Sequence, residues 1–289
     1  MKILSYNVAL LPDVARFQRR KDSKAVQNVR ANEIAKFINE SDYDIVCLQE
    51  VFDEDDRNIL INGLDKNKYN PNNSVTKISD NDFLHEDSGL FVVSKYNLIK
   101  SSYEEFHESS GWEVFSDKGI LGLHYKDNDR NLFIVNTHLQ SDIVYCQTRQ
   151  SQLLQIRRFL FRLLEKHKDI ISQPTTELYV VGDFNVIGES CEYGDMLHYL
   201  AYPTDCYIVD DNNKGFTWDG KNNSLIQKWD PNDKDQQRLD YIFKYSELLD
   251  DKRSKRYTLS MRNSNCIMIQ PKDSNDVDLS DHYGLVLEV

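Results

Sequence analysis

The sequence predicts an α+β fold in which two packed β-sheets form a sandwich flanked by helices. Three features of its 289 residues support this prediction. Short apolar runs typical of strands recur along the chain, segments with a helical spacing of apolar residues lie between them, and no repeat of fixed period is visible. Loops rich in Asn, Asp and Lys at 65–74, 211–223 and 230–237 mark no sharp change in composition. We therefore expect one domain spanning residues 1–289.

The first half of the chain alternates strands and helices. An apolar run predicts a first strand at 2–8, and apolar residues at 26, 29, 34, 37 and 38 give the spacing of a helix over 25–38. The continuous apolar run at 44–49 predicts a short strand that is buried on both faces. A helix over 53–64 has acidic residues in its first turn. Further strands are predicted at 88–94, 119–125 and 131–137.

The second half begins with the longest predicted helix, over 147–167, whose leucines form one apolar side. A strand at 178–182 follows and leads into Asp183 and Asn185. A helix over 192–200 comes next, and the last strands are predicted at 238–244, 256–261 and 283–289.

The composition excludes some classes of protein and disfavours others. Apolar residues make up 40% of the chain and charged residues 28%, and no apolar run reaches the roughly 18 to 20 residues of a membrane-spanning helix. The first residues do not resemble a signal peptide, and the five cysteines show no CxxC spacing. We expect a reduced protein that is cytoplasmic or peripherally attached to a membrane. The net charge of −12 disfavours nucleic acid as a partner, because it repels phosphate backbones.

Polar residues stand at the ends of five apolar strands, where side chains of one sheet face a common rim. They are Asn7, Glu50, His138, the pair Asp183 and Asn185, and the pair Asp281 and His282.

Each of these residues taken alone has a simpler explanation. Asn7 could be a turn residue, and Glu50 could cap the helix that begins near residue 53. His138 could be a hydrogen-bonded core histidine, and the segment 182–185 could be an ordinary turn. Their joint occurrence in this order favours a functional site.

The order of six motifs resembles that of the endonuclease/exonuclease/phosphatase superfamily. The motifs run from residue 5 to residue 282 and cover nearly the whole chain: 5–7, 48–50, 136–138, 182–185, 238–242 and 280–282. The resemblance implies a deoxyribonuclease I-like fold, which is a four-layer α/β-sandwich of two packed mixed β-sheets flanked by helices. It also implies a metal-dependent enzyme that hydrolyses phosphate esters.

Within that superfamily the chain is most similar to the neutral sphingomyelinases, which are phospholipases of the C type. The segments that carry this likeness are 115–119, 137–140, 149–159, 216–219 and 222–225. It implies hydrolysis of sphingomyelin or a related sphingolipid to ceramide and phosphocholine, by in-line attack of water. The partner would be a phospholipid met transiently at a membrane surface; the oligomeric state stays open.

A nuclease and a phosphoinositide phosphatase of the same fold are the alternatives, and the acidic net charge disfavours the nuclease. A phosphoinositide phosphatase needs basic clusters that hold additional phosphates. The candidates could equally be basic residues on ordinary solvent-exposed faces: Arg16, Arg19, Arg20 and Lys21, and Arg157 with Arg158. Bacterial sphingomyelinases meet lipid through an exposed aromatic hairpin. That hairpin corresponds to the interval between Tyr241 and Ser280 of this chain. The only apolar candidate for it there is the segment 266–269.

The resemblance assigns a metal site to three residues. Glu50 would hold Mg²⁺, with Mn²⁺ or Co²⁺ as possible substitutes, because a carboxylate is a hard oxygen ligand. Asn7 would add a neutral oxygen or a donor beside it, and Asp281 would help to hold the ion.

The resemblance also implies a catalytic set. His282 would be the general base, with Asp240 as the carboxylate that fixes its tautomer. Asp183 would orient the attacking water. Asn185 and His138 would donate hydrogen bonds to the phosphate or to the leaving oxygen.

Substrate contacts are expected from one lysine and from aromatic rings. Lys118 would contact phosphate or form a switch pair with Asp117, and a plain solvated ion pair is the alternative. A choline headgroup favours aromatic faces, for which Trp218, Trp112 and Tyr283 are the candidates.

Overall fold

The computed structural model describes residues 1–12, 22–69, 75–76, 87–171, 175–210, 213–250, 255–260 and 262–289. The helices of these residues are α1 (Lys24–Glu40), α2 (Glu54–Gly63), α3 (Cys146–Lys166), α4 (Lys168–Ile171), α5 (Cys191–Tyr199) and α6 (Ser224–Trp229), with two short 3-10 segments at Gly111–Phe115 and Ile143–Tyr145. The strands are β1 (Lys2–Leu10), β2 (Ile45–Val51), β3 (Val75–Thr76), β4 (Phe91–Ser94), β5 (Asn97–Glu105), β6 (Gly119–Asp127), β7 (Arg130–His138), β8 (Thr176–Asp183), β9 (Thr204–Asp205), β10 (Trp218–Asp219), β11 (Gln236–Gln237), β12 (Asp240–Lys244), β13 (Glu247–Asp250), β14 (Lys255–Thr258), β15 (Asn265–Ile269) and β16 (Gly284–Glu288).

Two six-stranded mixed sheets form the centre of the fold. The first has the order β15-β16-β1-β2-β4-β3, and its one parallel pair is β1 with β2. The second has the order β5-β6-β7-β8-β12-β9, and its one parallel pair is β7 with β8. The parallel pairs matter for function, because parallel strands end at the same edge of a sheet.

The two sheets pack face to face over a shared apolar core. Ile3 and Ile45 from the first sheet meet Ile134 and Val181 from the second in one buried cluster. Alternate residues of the same strands face outward, as the period of two in a strand requires. On β7, for example, Ile134 faces the other sheet whereas Phe133 faces the helices.

Helices cover both outer faces of the sandwich. On the first sheet, Ile34 and Ile38 of α1 and Leu60 of α2 pack in the same buried cluster as Leu4 and Val46. On the second sheet, α3 supplies most of the helical contacts, through residues such as Ile156 and Leu160. The arrangement is a four-layer sandwich of helix, sheet, sheet and helix, so the predicted fold class is confirmed.

The predicted elements form, with bounds shifted by a few residues, and several others were missed. β5 has a mostly exposed, polar sequence without the alternation that predicts a strand. Two segments predicted as loops contain β10 and β11, which pair with each other, and the apolar segment 266–269 belongs to β15 at the edge of the first sheet. The basic residues Arg16, Arg19, Arg20 and Lys21 lie outside the described residues. Among the described helices, none is long and apolar enough to cross a membrane.

Candidate active site

Four strands deliver the predicted polar residues to one edge of the sandwich. Glu50 lies near the end of β2, next to Gln49, which is the partner of Asn7 in the parallel pair with β1. In the second sheet, His138 ends β7 and pairs in register with Asp183, which ends β8. The strand register therefore brings these chemically active side chains together.

The backbone is strained or crowded at three points of this edge. Glu50 and Asn185 have positive φ angles of 59° and 51°, which non-glycine residues seldom adopt and which recur at functional sites. Gly182 has a φ of 146°, and a Cβ atom there would lie 2.0 Å from the carbonyl oxygen of Thr137. The glycine before Asp183 is thus required by the close approach of β8 to β7.

Asn7 joins the two acidic residues of the site. Its Nδ2 donates to Oε1 of Glu50 at 3.1 Å and to Oδ2 of Asp183 at 3.0 Å. Its Oδ1 accepts from the backbone N–H of Ala9 at 3.1 Å. Of the two roles expected for Asn7, an oxygen ligand or a donor beside Glu50, the structure shows the donor. The side-chain oxygen of Asn7 faces the backbone instead of Glu50.

His282 and Asp240 form a buried dyad. Nδ1 of His282 lies 2.8 Å from Oδ2 of Asp240, although the residues come from different segments of the chain. Nε2 of His282 lies 3.8 Å from Oδ2 of Asp183. Burial lowers the pKa of His282, but the charges of Asp240 and Asp183 more than offset it and raise the pKa to about 10.

Asp183 sits at the centre of the cluster and is almost fully buried. Burial and the like charge of Asp240 raise the pKa of Asp183 to about 7, against the opposing effect of His282. Its Oδ1 accepts from the backbone N–H of Asn185 at 2.9 Å, so the turn after β8 fixes the direction of the carboxylate.

His138 is buried beside a lysine. Its Nε2 lies 3.1 Å from Nζ of Lys118 and 3.5 Å from Oδ2 of Asp183. Burial, with the positive charges of Lys118 and His282, holds the pKa of His138 well below its usual range, so the ring is neutral. Lys118 also donates to Oε1 of Glu113 at 2.8 Å and to the carbonyl of Leu139 at 3.2 Å.

Glu50, Asp183 and His282 line a cleft of about 400 Å³, whereas Asn7, Lys118, His138 and Asp240 are outside its lining. Nδ2 of Asn185 donates to the carbonyl of Leu139 at 3.1 Å, which holds the Asn185 side chain at the cleft wall. Trp218 lines the cleft and packs edge-on against His282, with ring centroids 5.3 Å apart. The pairing of β10 with β11 holds the strand that carries this tryptophan.

Two groups of side chains have the geometry to hold a metal ion. Glu50, His138 and Asp183 each offer a ligand atom, and these atoms lie within 4.8 Å of one another; Asp183, Asp240 and His282 form the second group. The carboxylates of Glu50 and Asp183 fit a hard cation, such as Mg²⁺, that keeps several of its waters in an open cleft. In the second group the His282–Asp240 hydrogen bond already occupies two of the ligand atoms.

Three sequence candidates lie apart from this centre. Asp281 lines the cleft but belongs to neither group of possible metal ligands among the described residues. Tyr283 is 4% exposed, and its hydroxyl accepts from Nε2 of Gln270 at 3.1 Å, so its ring does not line the cleft. Trp112 is 76% exposed and also lies outside the cleft lining.

Several positioning residues were missed from the sequence. Ser280 donates through Oγ to the carbonyl of Asn7 at 2.7 Å and accepts from the backbone N–H of His282, so it ties β1 to the histidine. Oγ1 of Thr217 accepts from the backbone N–H groups of Leu239 and Asp240. Glu113 is the partner of Lys118. Ser280 lies in the motif 280–282 and Thr217 in the segment 216–219, so the sequence contained a signal for both, whereas none indicated Glu113.

Comparison with known proteins gives curated relatives over most of the chain. "Sphingomyelinase C 2" and "Sphingomyelinase C" of Leptospira interrogans are 28% and 31% identical over 84% of this chain, which spans 39% and 44% of their own lengths. The chain thus spans less than half the length of these relatives. "Phospholipase C" of Staphylococcus aureus is 28% identical over 84% of this chain and 73% of that protein.

Solved structures give the same fold. A form of beta toxin from Staphylococcus aureus has a TM-score of 0.77 at 24% identity, covering 100% of this chain and 99% of that one. A variant of the same toxin, solved with bound magnesium ions, has a TM-score of 0.74 at 24% identity, covering 99% and 98%. The predicted relationship to the sphingomyelinases is confirmed by these comparisons. The profile described as "Endonuclease/Exonuclease/phosphatase family" matches residues 4–282, and the chain belongs to that family.

Proposed function

We propose that this chain is a Mg²⁺-dependent phosphodiesterase that hydrolyses sphingomyelin or a closely related sphingolipid to ceramide and phosphocholine. The observation that carries the proposal is the His282–Asp240 dyad, which opens into the same cleft as Glu50 and Asp183. Membership of the family and the sequence relationship to sphingomyelinases support it. That one domain carries the whole activity is part of this proposal.

The dyad supplies the general base. Because Nδ1 of His282 is held by Asp240, its Nε2 is the atom that faces the cleft and can take a proton from an attacking water. With a pKa of about 10 the ring would hold its proton at neutral pH. A cation beside Glu50 and Asp183 would neutralise carboxylate charge, and so lower the pKa of His282 towards the range in which a base works.

Lys118 and Asn185 are the groups that would meet the negative charge of the phosphate. Lys118 supplies a buried positive charge, 3.1 Å from the neutral ring of His138. Asn185 supplies an amide at the cleft wall. These groups would hold the phosphate oxygens so that the scissile bond faces the water beside His282.

Glu50 and Asp183 are the residues that would hold the cation, and Asn7 would keep both carboxylates in place. Oxygen ligands of this kind favour Mg²⁺ or Mn²⁺ over softer metals. When bound, the ion would stabilise negative charge on a phosphate oxygen and on the leaving group. Asp281 would act at longer range, through its negative charge at the cleft.

The cleft suits a small cationic headgroup. Trp218 presents an aromatic ring at its wall, and aromatic faces attract quaternary ammonium groups. The lining is acidic, since Asp142, Asp235 and Asp281 belong to it while its arginine, Arg149, is paired with Glu192. This charge favours a choline group over an additional phosphate. The ceramide part would remain in the membrane, so that the enzyme acts at its surface transiently.

The proposal is tested by a turnover assay of the purified chain. We expect hydrolysis of sphingomyelin in mixed micelles with Mg²⁺, loss of activity with a chelator, and recovery when Mg²⁺ is restored. Phosphoinositide micelles and DNA should be poor substrates under the same conditions, and His282→Ala serves as the inactive control. Preferred cleavage of DNA or of a phosphoinositide would overturn the proposal.

A further inference from the structure

Exposed apolar side chains cluster in two short segments beside the cleft. Among the described residues, eleven large apolar side chains are exposed, and five of them lie in the 3-10 segments Gly111–Phe115 and Ile143–Tyr145. We call these five the apolar patch: Trp112 (76% exposed), Val114 (42%), Phe115 (44%), Ile143 (68%) and Val144 (74%).

The two segments form one surface because side chains join them directly. The backbone N–H of Ser141 donates to the carboxylate of Glu113 at 3.2 and 3.3 Å. The backbone N–H of Ser110 donates to Oε1 of Gln140 at 2.7 Å. Gly111 also packs closely on Tyr145, since a Cβ atom at that glycine would lie 2.9 Å from the tyrosine hydroxyl.

The apolar patch is continuous with the candidate active site. Ile143 itself lines the cleft, together with Asn185 and His282. On the other segment, Glu113 stands between Trp112 and Val114, and it binds Lys118, whose Nζ lies 3.1 Å from His138. A surface that covers the patch would therefore cover the mouth of the cleft.

We propose that the apolar patch docks the protein onto the surface of a zwitterionic phospholipid bilayer, next to the lipid that enters the cleft. This inference rests on the proposed function, because a sphingolipid presents its diester at the membrane interface while its hydrocarbon chains stay in the bilayer. Exposed apolar patches mark interaction surfaces, and tryptophan favours the interface between lipid and water.

The charge around the apolar patch selects the type of membrane. Residues 106–117 include Glu108, Glu113 and Asp117, and residues 139–148 include Asp142. The adjoining cations Lys118 and Arg149 are buried, and they are paired with Glu113 and Glu192. The whole chain has a net charge of −12. Anionic lipid would be repelled, whereas a neutral zwitterionic surface of phosphocholine groups meets no such barrier.

This surface differs from the one that the family resemblance suggested. The apolar segment 266–269 lies in β15, where it pairs with β16 at the edge of the first sheet. Of its residues only Ile267 counts among the exposed large apolar side chains, at 42%. The apolar patch exposes five large apolar side chains, by 42% to 76%, and it borders the cleft.

The test compares two matched double variants. Trp112→Ser with Val144→Ser removes the two most exposed members of the patch. Tyr202→Ser with Ile208→Ser is the control, since these side chains are 72% and 82% exposed and lie outside the cleft lining. Each protein is floated with phosphatidylcholine vesicles that lack sphingomyelin. Its turnover is then measured on sphingomyelin vesicles and on a water-soluble phosphocholine diester.

We expect the patch variant to bind vesicles at least about tenfold more weakly, because two apolar side chains no longer enter the interface. Its turnover of sphingomyelin vesicles should fall in parallel, while turnover of the soluble diester and the behaviour of the control stay unchanged. Trp112→Phe should retain binding. If the wild type hydrolyses sphingomyelin but fails to float, or if the patch variant floats equally well, the docking proposal is wrong.

Two further outcomes separate the proposals from each other. Flotation that depends on the patch, without turnover of either diester, would sustain docking and overturn the proposed function. A change from dimer to monomer in light scattering of the patch variant, without any change in flotation, would show that the apolar patch binds a second copy of the chain. That result would overturn docking to lipid.

Discussion

Asp183 and Asp240 are direct cross-strand partners, the last residue of β8 facing the first residue of β12. Like charges in such a pair repel each other. His282 relieves the repulsion because its two ring nitrogens face the two carboxylates, at 2.8 Å from Oδ2 of Asp240 and 3.8 Å from Oδ2 of Asp183. The ring of His282 therefore holds the two carboxylates together at this edge of the second sheet.

The dyad predicts a large and non-additive loss of activity. His282→Ala should reduce turnover by about 10²- to 10⁴-fold, which is the usual contribution of a positioned acid–base group. Asp240→Asn should be similarly severe, because an amide cannot hold the same tautomer or stabilise the protonated ring. The double variant should lose little more than either single one. Steady-state kinetics of the three variants check this, and additive losses would contradict a shared role.

The same dyad predicts a pH effect on the stability of the cation-free protein. The folded pKa of His282 is raised to about 10, above the unfolded value of about 6.5. A raised pKa contributes stability that is fully present below pH of about 6.5 and is lost as the pH rises through 10. In the presence of a chelator, wild-type melting temperature should therefore fall from pH 7 to 10 more steeply than that of Asp240→Asn. Parallel curves would show that Asp240 does not raise this pKa.

Glu50 is predicted to control the response to the metal. Glu50→Gln keeps the size of the side chain and its capacity to accept from Asn7, but it removes the charge that would attract a cation. We expect half-maximal activity to require at least about tenfold more Mg²⁺, with little change in melting temperature. Activity measured across a Mg²⁺ titration checks this, and Glu54→Gln, which is exposed and outside the cleft lining, is the control. An unchanged Mg²⁺ requirement would exclude Glu50 as a ligand.

Gly182 is predicted to be irreplaceable for structural reasons. Alanine there would place a Cβ atom 2.0 Å from the backbone oxygen of Thr137, at a φ of 146° that side chains rarely adopt. Gly182→Ala should destabilise the fold by several kcal/mol, in the range of severe single substitutions. Gly194→Ala is the control, since a Cβ atom added at Gly194 would have no other atom within 4 Å. Equal denaturation midpoints for the two variants would contradict this explanation of the motif.

The functional residues at the strand ends could be predicted because each of them directly follows or precedes an apolar run in the sequence. Polar residues that directly follow apolar runs, such as His138 and Asp183, must lie at the edge of a sheet, and the structure brings them within 3.5 Å. The group of Glu50, His138 and Asp183 supports a metal site in general, but of the three residues predicted as ligands it contains only Glu50. The roles of the individual residues stay predictions.

Other features could not be predicted because they depend on distant contacts. Glu113 lies between apolar residues in a segment without regular spacing, and nothing in the sequence indicates that it binds Lys118. β5 forms on a polar sequence because its partner β6 supplies the hydrogen bonds. Asn7 was predicted as an oxygen ligand or a donor, and only the position of Asp183 decides that its amide nitrogen faces the acidic residues.

The pairing of β1 with β16 has a consequence for the synthesis of the protein. Lys2 pairs with Glu288 and Ser5 with Leu285, so during synthesis β1 waits for a segment 280 or more residues further along the chain to complete its side of the sheet. Until then β1 exposes a free edge, a state that favours association with other unfolded chains. A nascent chain that stops before residue 284 would lack this partner strand, and we expect it to aggregate or to be degraded.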